Sequence, residues 1–218
     1  MSLTDEPAAN KNHDEMKVDR RRRPERRVEI LKAVMTLLEK GNRRVTTAEL
    51  AAEVGLSEAA LYRHFTGMSA IFQALTEYLR EHLMMPLEQS SALDSDSSLR
   101  RLRMVMEQQL KFFADNPGLC RIFLVEGVMT RVESLAMSEM VRAYGQQIRQ
   151  IVVRAQEQGE LPAGVDPESA AQFYVGLMQA ATLRFVISGF TVSPITDMAM
   201  TWSYFCRGVG ADEQRAAA

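Results

Sequence analysis

The sequence predicts an all-α protein, with a small three-helix N-terminal domain of the helix-turn-helix type at residues 20–67 and a larger helical domain at residues 68–218. Apolar residues recur at steps of three and four along most of the 218 residues, which is the spacing of amphipathic helices. This spacing predicts about nine helices. No stretch alternates apolar and polar residues at period two with β-branched side chains, so we expect no sheet.

The N-terminal segment, residues 1–19, is expected to be a disordered tail because it is polar and acidic with little apolar content. A basic arm, Arg20–Arg23, leads from it to Pro24, a residue suited to the first turn of a helix. This first helix has one apolar side and ends at Gly41-Asn42. Its apolar positions are Val28, Leu31, Met35 and Leu38.

The next stretch, TTAELAAEVGLSEAALYRHF, predicts two short helices joined by a tight turn. Thr46 and Glu49 fit a capping box, and Gly55 suits the left-handed position that ends a helix. Ser57 is the N-cap candidate of the second helix. The expected core positions are Leu50, Ala51, Val54, Leu56, Leu61 and Phe65. The positions left to face outward are Ser57, Glu58, Ala59, Ala60, Tyr62, Arg63 and His64.

Six further helices are predicted after a break at Thr66-Gly67. Pro86 and the Ser/Asp-rich stretch 89–98 should separate the first of them from the second. The longest apolar stripe belongs to the fourth, where apolar residues alternate steps of four and three. The predicted ranges are Met68–Met85, Leu99–Phe113, Leu119–Leu124, Met137–Ala155, Asp166–Gly189 and Pro194–Cys206.

Positive charge is concentrated in the N-terminal part, although the whole chain has a net charge of −2. Residues 17–66 contain twelve basic and seven acidic residues, whereas residues 67–218 contain thirteen basic and seventeen acidic residues. Contact between the two-helix stretch and nucleic-acid phosphates would require positive charge in this part of the chain. A solvated basic tail is the alternative explanation of the charge run.

No catalytic or metal-binding pattern is apparent. Cys120 and Cys206 are isolated in apolar surroundings, which favours buried free thiols over a disulfide or a metal site. His13, His64 and His82 form no motif with Cys, Ser or carboxylates, and no Gly-rich phosphate loop occurs. We therefore expect no enzyme activity and no cofactor. The polar N-terminus has no secretory signal, so a cytoplasmic, nucleoid-associated location is expected.

The basic arm, the first helix and the two-helix stretch ending in L-Y-R-H-F resemble the TetR family of transcriptional regulators over about residues 24–80. The resemblance implies a homodimer that binds a palindromic DNA operator, with the last two long helices forming the dimer interface and the C-terminal domain serving regulation and dimerisation. The two recognition helices would lie about 34 Å apart or somewhat more.

The expected DNA contacts divide into three kinds. The motif implies phosphate contacts for Thr46 or Thr47, Ser57, Tyr62 and His64, and base-edge contacts for Ala59 and Ala60. Glu58 or Arg63 would add hydrogen bonds to cytosine or guanine. The basic side chains expected to reach phosphates are Arg22, Arg23 and Arg44. One departure is Met68, which stands where the family usually has a phosphate-binding Lys.

For the C-terminal domain, the resemblance implies a repressor whose DNA affinity changes when a small apolar ligand shifts helix Met68–Met85. The fourteen Met residues suit an adaptable pocket, although any single Met more commonly fills a core. The candidate pocket residues are Phe112, Phe113, Phe123, Met129, Met137, Tyr144, Phe173, Leu177 and Met178.

An alternative follows from the same S-E-A-A-L-Y-R-H-F motif and from N-P-G-L at 116–119, which also resemble nucleoid-occlusion factors of bacterial cell division. In this alternative, DNA is the activating ligand and the protein surface binds a cell-division protein. It predicts a packed C-terminal core without a large cavity. The candidate partner face contains Arg100, Arg101, Arg103 and Arg121. The volume of the apolar cavity discriminates between the two hypotheses.

Overall fold

The computed structural model describes residues 9–40, 45–91, 97–124 and 135–212, and the first of these ranges includes side chains from residue 24 onward. Nine α-helices and no strands occur in these ranges, which confirms the predicted all-α class. The helices are α1 Ala9–Glu39, α2 Thr47–Val54, α3 Glu58–Tyr62, α4 Met68–Ser91, α5 Ser98–Asp115, α6 Pro117–Leu124, α7 Leu135–Glu157, α8 Pro167–Ile187 and α9 Met198–Val209.

Helix α1 begins earlier than the sequence predicts. Disorder was expected through residue 19 and a helix start at Pro24, but α1 already begins at Ala9 and Pro24 lies inside it. Ala, Lys, Glu, Met and Arg make up much of this segment and have good intrinsic helix propensity. This propensity explains a helix that begins before the predicted start.

Two other helix boundaries also differ from the predicted ones. Pro86 does not end α4, which continues to Ser91, because the buried Leu83, Met84 and Leu87 hold the helix in place on both sides of the proline. The Ser/Asp-rich residues 92–96 lie outside the described residues. At the other end of the chain, residues 194–197 form turns, and α9 begins only at Met198.

The chain divides into two compact units between Phe72 and Gln73. In the N-terminal unit, the capping box of Thr46 and Glu49 is present, and Ser57 caps α3 by accepting a hydrogen bond from Ala60 N. Lys40 forms an ion pair with Glu53 at 2.9 Å. The core of this unit consists of Ile30, Val34, Leu37, Leu38, Val45, Leu50, Ala51, Leu61, Phe65 and Ile71.

In the C-terminal unit, one apolar core joins the end of α4 to α5, α7, α8 and α9. Its largest fully buried side chains include Trp202, Tyr174 and Phe205, and the rings of Trp202 and Phe205 lie 5.4 Å apart. Burial of each such side chain contributes about 1.5–3 kcal/mol. Cys120 and Cys206 are free and buried, as predicted, and burial raises the pKa of the Cys120 thiol to about 12.

Within the described residues, none of the helices combines the length and the apolar character that crossing a membrane requires.

The turn between α2 and α3 provides a test of the N-terminal unit. Gly55 has φ +71° and ends α2 in the left-handed conformation. We expect Gly55→Ala to destabilise this unit by about 1–2 kcal/mol, because a Cβ disfavours that conformation. Gly55→Asn should cost clearly less, since Asn tolerates it. Hydrogen exchange at residues 47–65 measures both effects, because the single Trp lies in the other unit. Equal losses for Ala and Asn would contradict the explanation.

Candidate nucleic-acid interface and C-terminal cavity

Helix α3 and the turn after it present a polar surface over an apolar base. The helix has five residues, and the chain then turns with hydrogen bonds from His64 N and Phe65 N to Leu61 O at 2.9 and 3.0 Å. Leu61 and Phe65 are buried and form the base. The side chains of Ser57, Glu58, Ala59, Tyr62 and Arg63 are exposed, and His64 is half-buried. This exposed set is the candidate nucleic-acid interface.

Ala60 is a correction to the predicted outward face. Its side chain is buried, with 9% of its surface exposed, so its methyl group is covered by the protein. Ala60 and Leu61 are the two buried residues of α3, so the inner side of the helix includes both of these adjacent positions. Ala59, on the other side of Ala60, remains exposed and keeps its place in the candidate interface.

The hydroxyl groups of Thr46 and Thr47 are both engaged within the protein. Thr46 Oγ1 donates to Glu49 Oε2 at 2.9 Å and accepts from Glu49 N, and the hydrogen bonds of Thr46 lower the pKa of the Glu49 carboxyl. Thr47 Oγ1 donates to Glu58 Oε2 at 2.8 Å. The second bond joins the start of α2 to the start of α3 and fixes the direction of the Glu58 carboxylate.

The predicted basic contacts fall where little is described. Arg22 and Arg23 belong to α1, but their side chains lie outside the described part of the structure, as does the whole of Arg44.

Arg27 is a residue that the sequence did not single out as a site residue. Its Nη1 donates to His64 O at 2.5 Å, across 37 positions of the chain. The only signal in the sequence was its unfavourable place near the expected start of the first helix.

A small cavity lies in the C-terminal unit, lined by α4, α5, α6, α7 and α8, with a volume of about 40 Å³. Of the predicted pocket residues, it contains Phe113, Phe123, Tyr144 and Met178. Its other lining residues are Leu83, Gln109, Met140, Val141, Val175, Gln179 and Thr182. The sequence analysis missed all seven of these positions, of which only Gln109, Gln179 and Thr182 are polar.

Three predicted pocket residues lie elsewhere. Phe112 stacks on His82, with ring centroids 5.0 Å apart, because it lies on another side of α5 than its neighbour Phe113. Phe173 is 40% exposed and packs on Phe205, and Leu177 packs on the main core. Met129 and the side chain of Met137 lie outside the described residues.

A buried polar network forms one wall of the cavity. The Tyr144 hydroxyl donates to Gln109 Oε1 at 2.5 Å, and Gln109 Nε2 donates to the Leu83 carbonyl on α4 at 2.9 Å. Burial raises the pKa of Tyr144, so the phenol stays neutral and can donate this bond. Gln109, with 1% of its surface exposed, thus links α4 to α5 and α7.

The size of the cavity limits what it can hold. A volume of about 40 Å³ accommodates roughly three water-sized groups. Pockets for drug-sized ligands have about 300–1,000 Å³. This cavity is therefore too small for a ligand of that size.

Helices α8 and α9 have large apolar side chains exposed on their surface. Leu183, Ile187, Met200 and Tyr204 expose 45%, 75%, 56% and 53% of their surface. Leu183 and Ile187 are four positions apart on α8, as Met200 and Tyr204 are on α9, so each pair lies on one side of its helix. These four residues and Phe173 form the apolar face of α8 and α9.

Comparisons with known proteins agree for both parts of the chain. Residues 30–75 match the family described as bacterial regulatory proteins, tetR family. Residues 95–185 match the family described as tetracyclin repressor-like, C-terminal domain.

Curated relatives match most of the chain. The nucleoid occlusion factor SlmA of Vibrio campbellii is 35% identical over 82% of this chain and 92% of its own length. The nucleoid occlusion factors SlmA of Vibrio cholerae and Photobacterium profundum are 35% and 32% identical over 82% and 85% of the chain. These two matches cover 92% and 96% of the lengths of the relatives themselves.

Solved structures share the fold at lower identity. The MbdR regulator from Azoarcus sp. CIB has a TM-score of 0.74 at 16% identity, over 83% of this chain and 96% of its own. The transcriptional regulator FadR from Bacillus subtilis, solved in complex with stearoyl-CoA, has a TM-score of 0.69 at 15% identity, over 84% of this chain and 98% of its own. At this level of identity the likeness concerns the fold.

The polar network at the cavity gives a test of the C-terminal core. We expect Gln109→Leu to lower the free energy of unfolding by about 1–3 kcal/mol, because the Leu83 carbonyl and the Tyr144 hydroxyl lose a buried partner. The matched control is Gln108→Leu on the exposed side of α5, which should change it by about 0.5 kcal/mol or less. Urea unfolding followed by the fluorescence of the single Trp measures both variants. The same midpoint for both would contradict a structural role of the network.

Proposed function

Because the chain belongs to the TetR family of bacterial regulatory proteins, we propose that it binds a palindromic DNA operator as a homodimer, with α3 as the recognition helix in the major groove. The observation that carries the proposal is the capped α2–α3 pair, which holds a polar surface of five exposed side chains over a buried apolar base. The positive charge of residues 17–66 supports it, since phosphates require cations at this place.

On this surface, we assign separate roles to side chains that hold phosphates and to those that contact bases. Tyr62 is 51% exposed and carries a hydroxyl suited to a phosphate. Ala59 exposes a methyl group that suits the methyl group of thymine. The Glu58 carboxylate, directed by Thr47, suits the amino group of cytosine. Ser57 and His64 remain proposed phosphate contacts, and so do the arginines at 22, 23 and 44, while Arg63 remains a proposed hydrogen-bond donor to guanine.

The dimer is proposed to form through the apolar face of α8 and α9. Pairing of this face with its symmetry mate would remove Leu183, Ile187, Met200 and Tyr204 from water. A two-fold dimer presents the same surface from both subunits, so one apolar face per chain is sufficient.

The C-terminal unit is proposed to act as in a nucleoid-occlusion factor, so that the DNA-bound dimer contacts a cell-division protein. Two observations support this role over the ligand-responsive one. The curated relatives reported above, which match 82–85% of the chain, are named nucleoid occlusion factors. The cavity of about 40 Å³ agrees with a packed core whose activating ligand is DNA.

A ligand-responsive repressor is the second candidate, and the apolar cavity is the observation that favours it. The cavity adjoins the link from Gln109 to the Leu83 carbonyl on α4. An apolar ligand that separates Tyr144 from Gln109 would disturb this link. Linkage requires that such a ligand binds free protein better than DNA-bound protein if it weakens DNA binding.

The division of roles on α3 can be tested with operator variants. Tyr62→Ala should weaken binding about tenfold on every sequence, because the lost hydroxyl contacts the backbone of DNA. Ala59→Ser should change the preferred base at one operator position. Fluorescence anisotropy with a set of single-base operator variants measures both, and Tyr62→Phe shows how much of the loss belongs to the hydroxyl. An equal loss on every variant for both positions would contradict the division.

The distribution of binding sites along the chromosome separates the two candidate functions. For a nucleoid-occlusion role, chromatin immunoprecipitation should find sites scattered over the chromosome but absent near the replication terminus. For a ligand-responsive repressor, the sites should cluster near the protein's own promoter. Clustering near that promoter alone would contradict the first candidate and favour the second.

A further inference from the structure

Arg27 in α1 contacts the chain at the point where the recognition helix ends. Its Nη1 donates to the His64 carbonyl at 2.5 Å, and its guanidinium carbon lies 4.0 Å from the centroid of the Phe65 ring. The three residues belong to the same compact unit. The contact joins two segments that are 37 positions apart in sequence.

The two contacts of Arg27 use different parts of one guanidinium group. Nη1 donates to the carbonyl, while the guanidinium carbon lies over the aromatic ring at a distance typical of a cation–π contact. The His64 carbonyl belongs to the turn after α3, two positions beyond Tyr62, and Arg27 gives it a charged hydrogen-bond donor. A planar cation satisfies the carbonyl and the ring together, whereas the compact ammonium group of Lys has no such geometry.

The neighbouring Arg26 makes a different contact. Its Nη1 pairs with Glu29 on the same helix at 2.6 Å, and both side chains are about half exposed, at 44% and 52%. This pair connects two positions of α1 and does not involve α3. Arg26 and Arg27 therefore carry equal charge at adjacent positions, but only Arg27 contacts the end of the recognition helix among the contacts described.

Helix α3 depends on such contacts because it has five residues. Isolated helices shorter than about 12–15 residues are marginal in water. Ser57 caps the start of α3, and the Thr47–Glu58 bond ties that start to α2. At the other end, the Phe65 side chain is buried and Arg27 holds the adjoining carbonyl.

We propose that Arg27 is a positioning residue, which fixes the end of the recognition helix and does not itself hold a DNA phosphate. This inference rests on the proposed DNA-binding function. It assigns Arg27 to sequence discrimination: a displaced helix still attracts DNA by charge but loses the alignment of its side chains with the bases. One N–H of the guanidinium donates to the His64 carbonyl and its carbon lies over the Phe65 ring, so the contacts that the structure shows for Arg27 lie within the protein.

Binding by the full-length protein at several salt concentrations tests the proposal. The variants are Arg27→Met and Arg27→Lys, with Arg26→Met as the matched control that removes the same charge. The probes are an operator duplex selected with the wild-type protein and a scrambled duplex of the same length. A residue that holds one phosphate contributes about 0.9 to the slope of log affinity against log salt.

We expect Arg27→Met to bind the operator about tenfold more weakly than Arg26→Met while both bind the scrambled duplex equally. Its salt slope should equal that of Arg26→Met, and Arg27→Lys should not restore operator affinity. The inference is overturned if the slope of Arg27→Met is lower by about 0.9, if the two Met variants bind the operator equally, or if Arg27→Lys behaves as wild type.

Hydrogen exchange separates this inference from loss of folding and from failure of the proposed function. Arg27→Met should increase exchange at residues 58–65 and leave α2 and α8 unchanged. If Arg27→Met unfolds the whole N-terminal unit, Arg27→Lys replaces it in the test, because Lys keeps the charge. Weaker binding of Arg27→Lys to the operator alone would then support the inference. Wild-type binding of Arg27→Lys to both duplexes would overturn it. Wild-type protein that ignores every duplex would overturn the proposed function, and the role of Arg27 in sequence discrimination with it. Unchanged exchange at residues 58–65 in both variants would overturn the inference alone.

Discussion

The shortness of the recognition helix is the constraint on which the N-terminal unit depends. Five residues cannot satisfy the polar groups at their own ends, so every end of α3 needs a partner from outside the helix. Ser57 and Thr47 serve the start, and Arg27 and the buried Phe65 serve the finish. Contacts from α1 and α2 therefore help to fix the position of the side chains that α3 exposes. The three helices are therefore required together for one small interface.

In the C-terminal unit, a buried polar residue likewise needs hydrogen-bond partners from other helices. Gln109 lies in an apolar core, where an unpaired amide would cost about 1–3 kcal/mol, and it is matched by the Leu83 carbonyl and the Tyr144 hydroxyl. Bonds that require three helices at fixed distances specify one packing of α4, α5 and α7. A cavity of about 40 Å³ lies beside this network, with Leu83, Gln109 and Tyr144 among its lining residues.

The sequence predicted a structural feature correctly where the interactions that produce it involve residues only a few positions apart. The capping box of Thr46 and Glu49, the left-handed Gly55 and the N-cap Ser57 are bonds or dihedral angles set within three positions, and all three were predicted correctly. Ala60 was placed on the wrong side because a five-residue helix has no long stripe that would reveal its inner face. Arg27 was missed because its partners are 37 and 38 positions away. The cavity was predicted in part, since Phe113, Phe123, Tyr144 and Met178 line it, but the polar Gln109 gave no apolar signal.

The volume of the cavity also bears on which ligand can regulate the protein. A ligand shifts an equilibrium only by the difference between its affinities for the two states. A group of about three heavy atoms binds with at most about 1.5 kcal/mol per atom, and only part of this total can distinguish the states. A duplex that contacts several phosphates and bases through two recognition helices has a larger interaction free energy available for that difference. For the proposed dimer, DNA therefore has more interaction free energy available for switching than a ligand confined to this cavity.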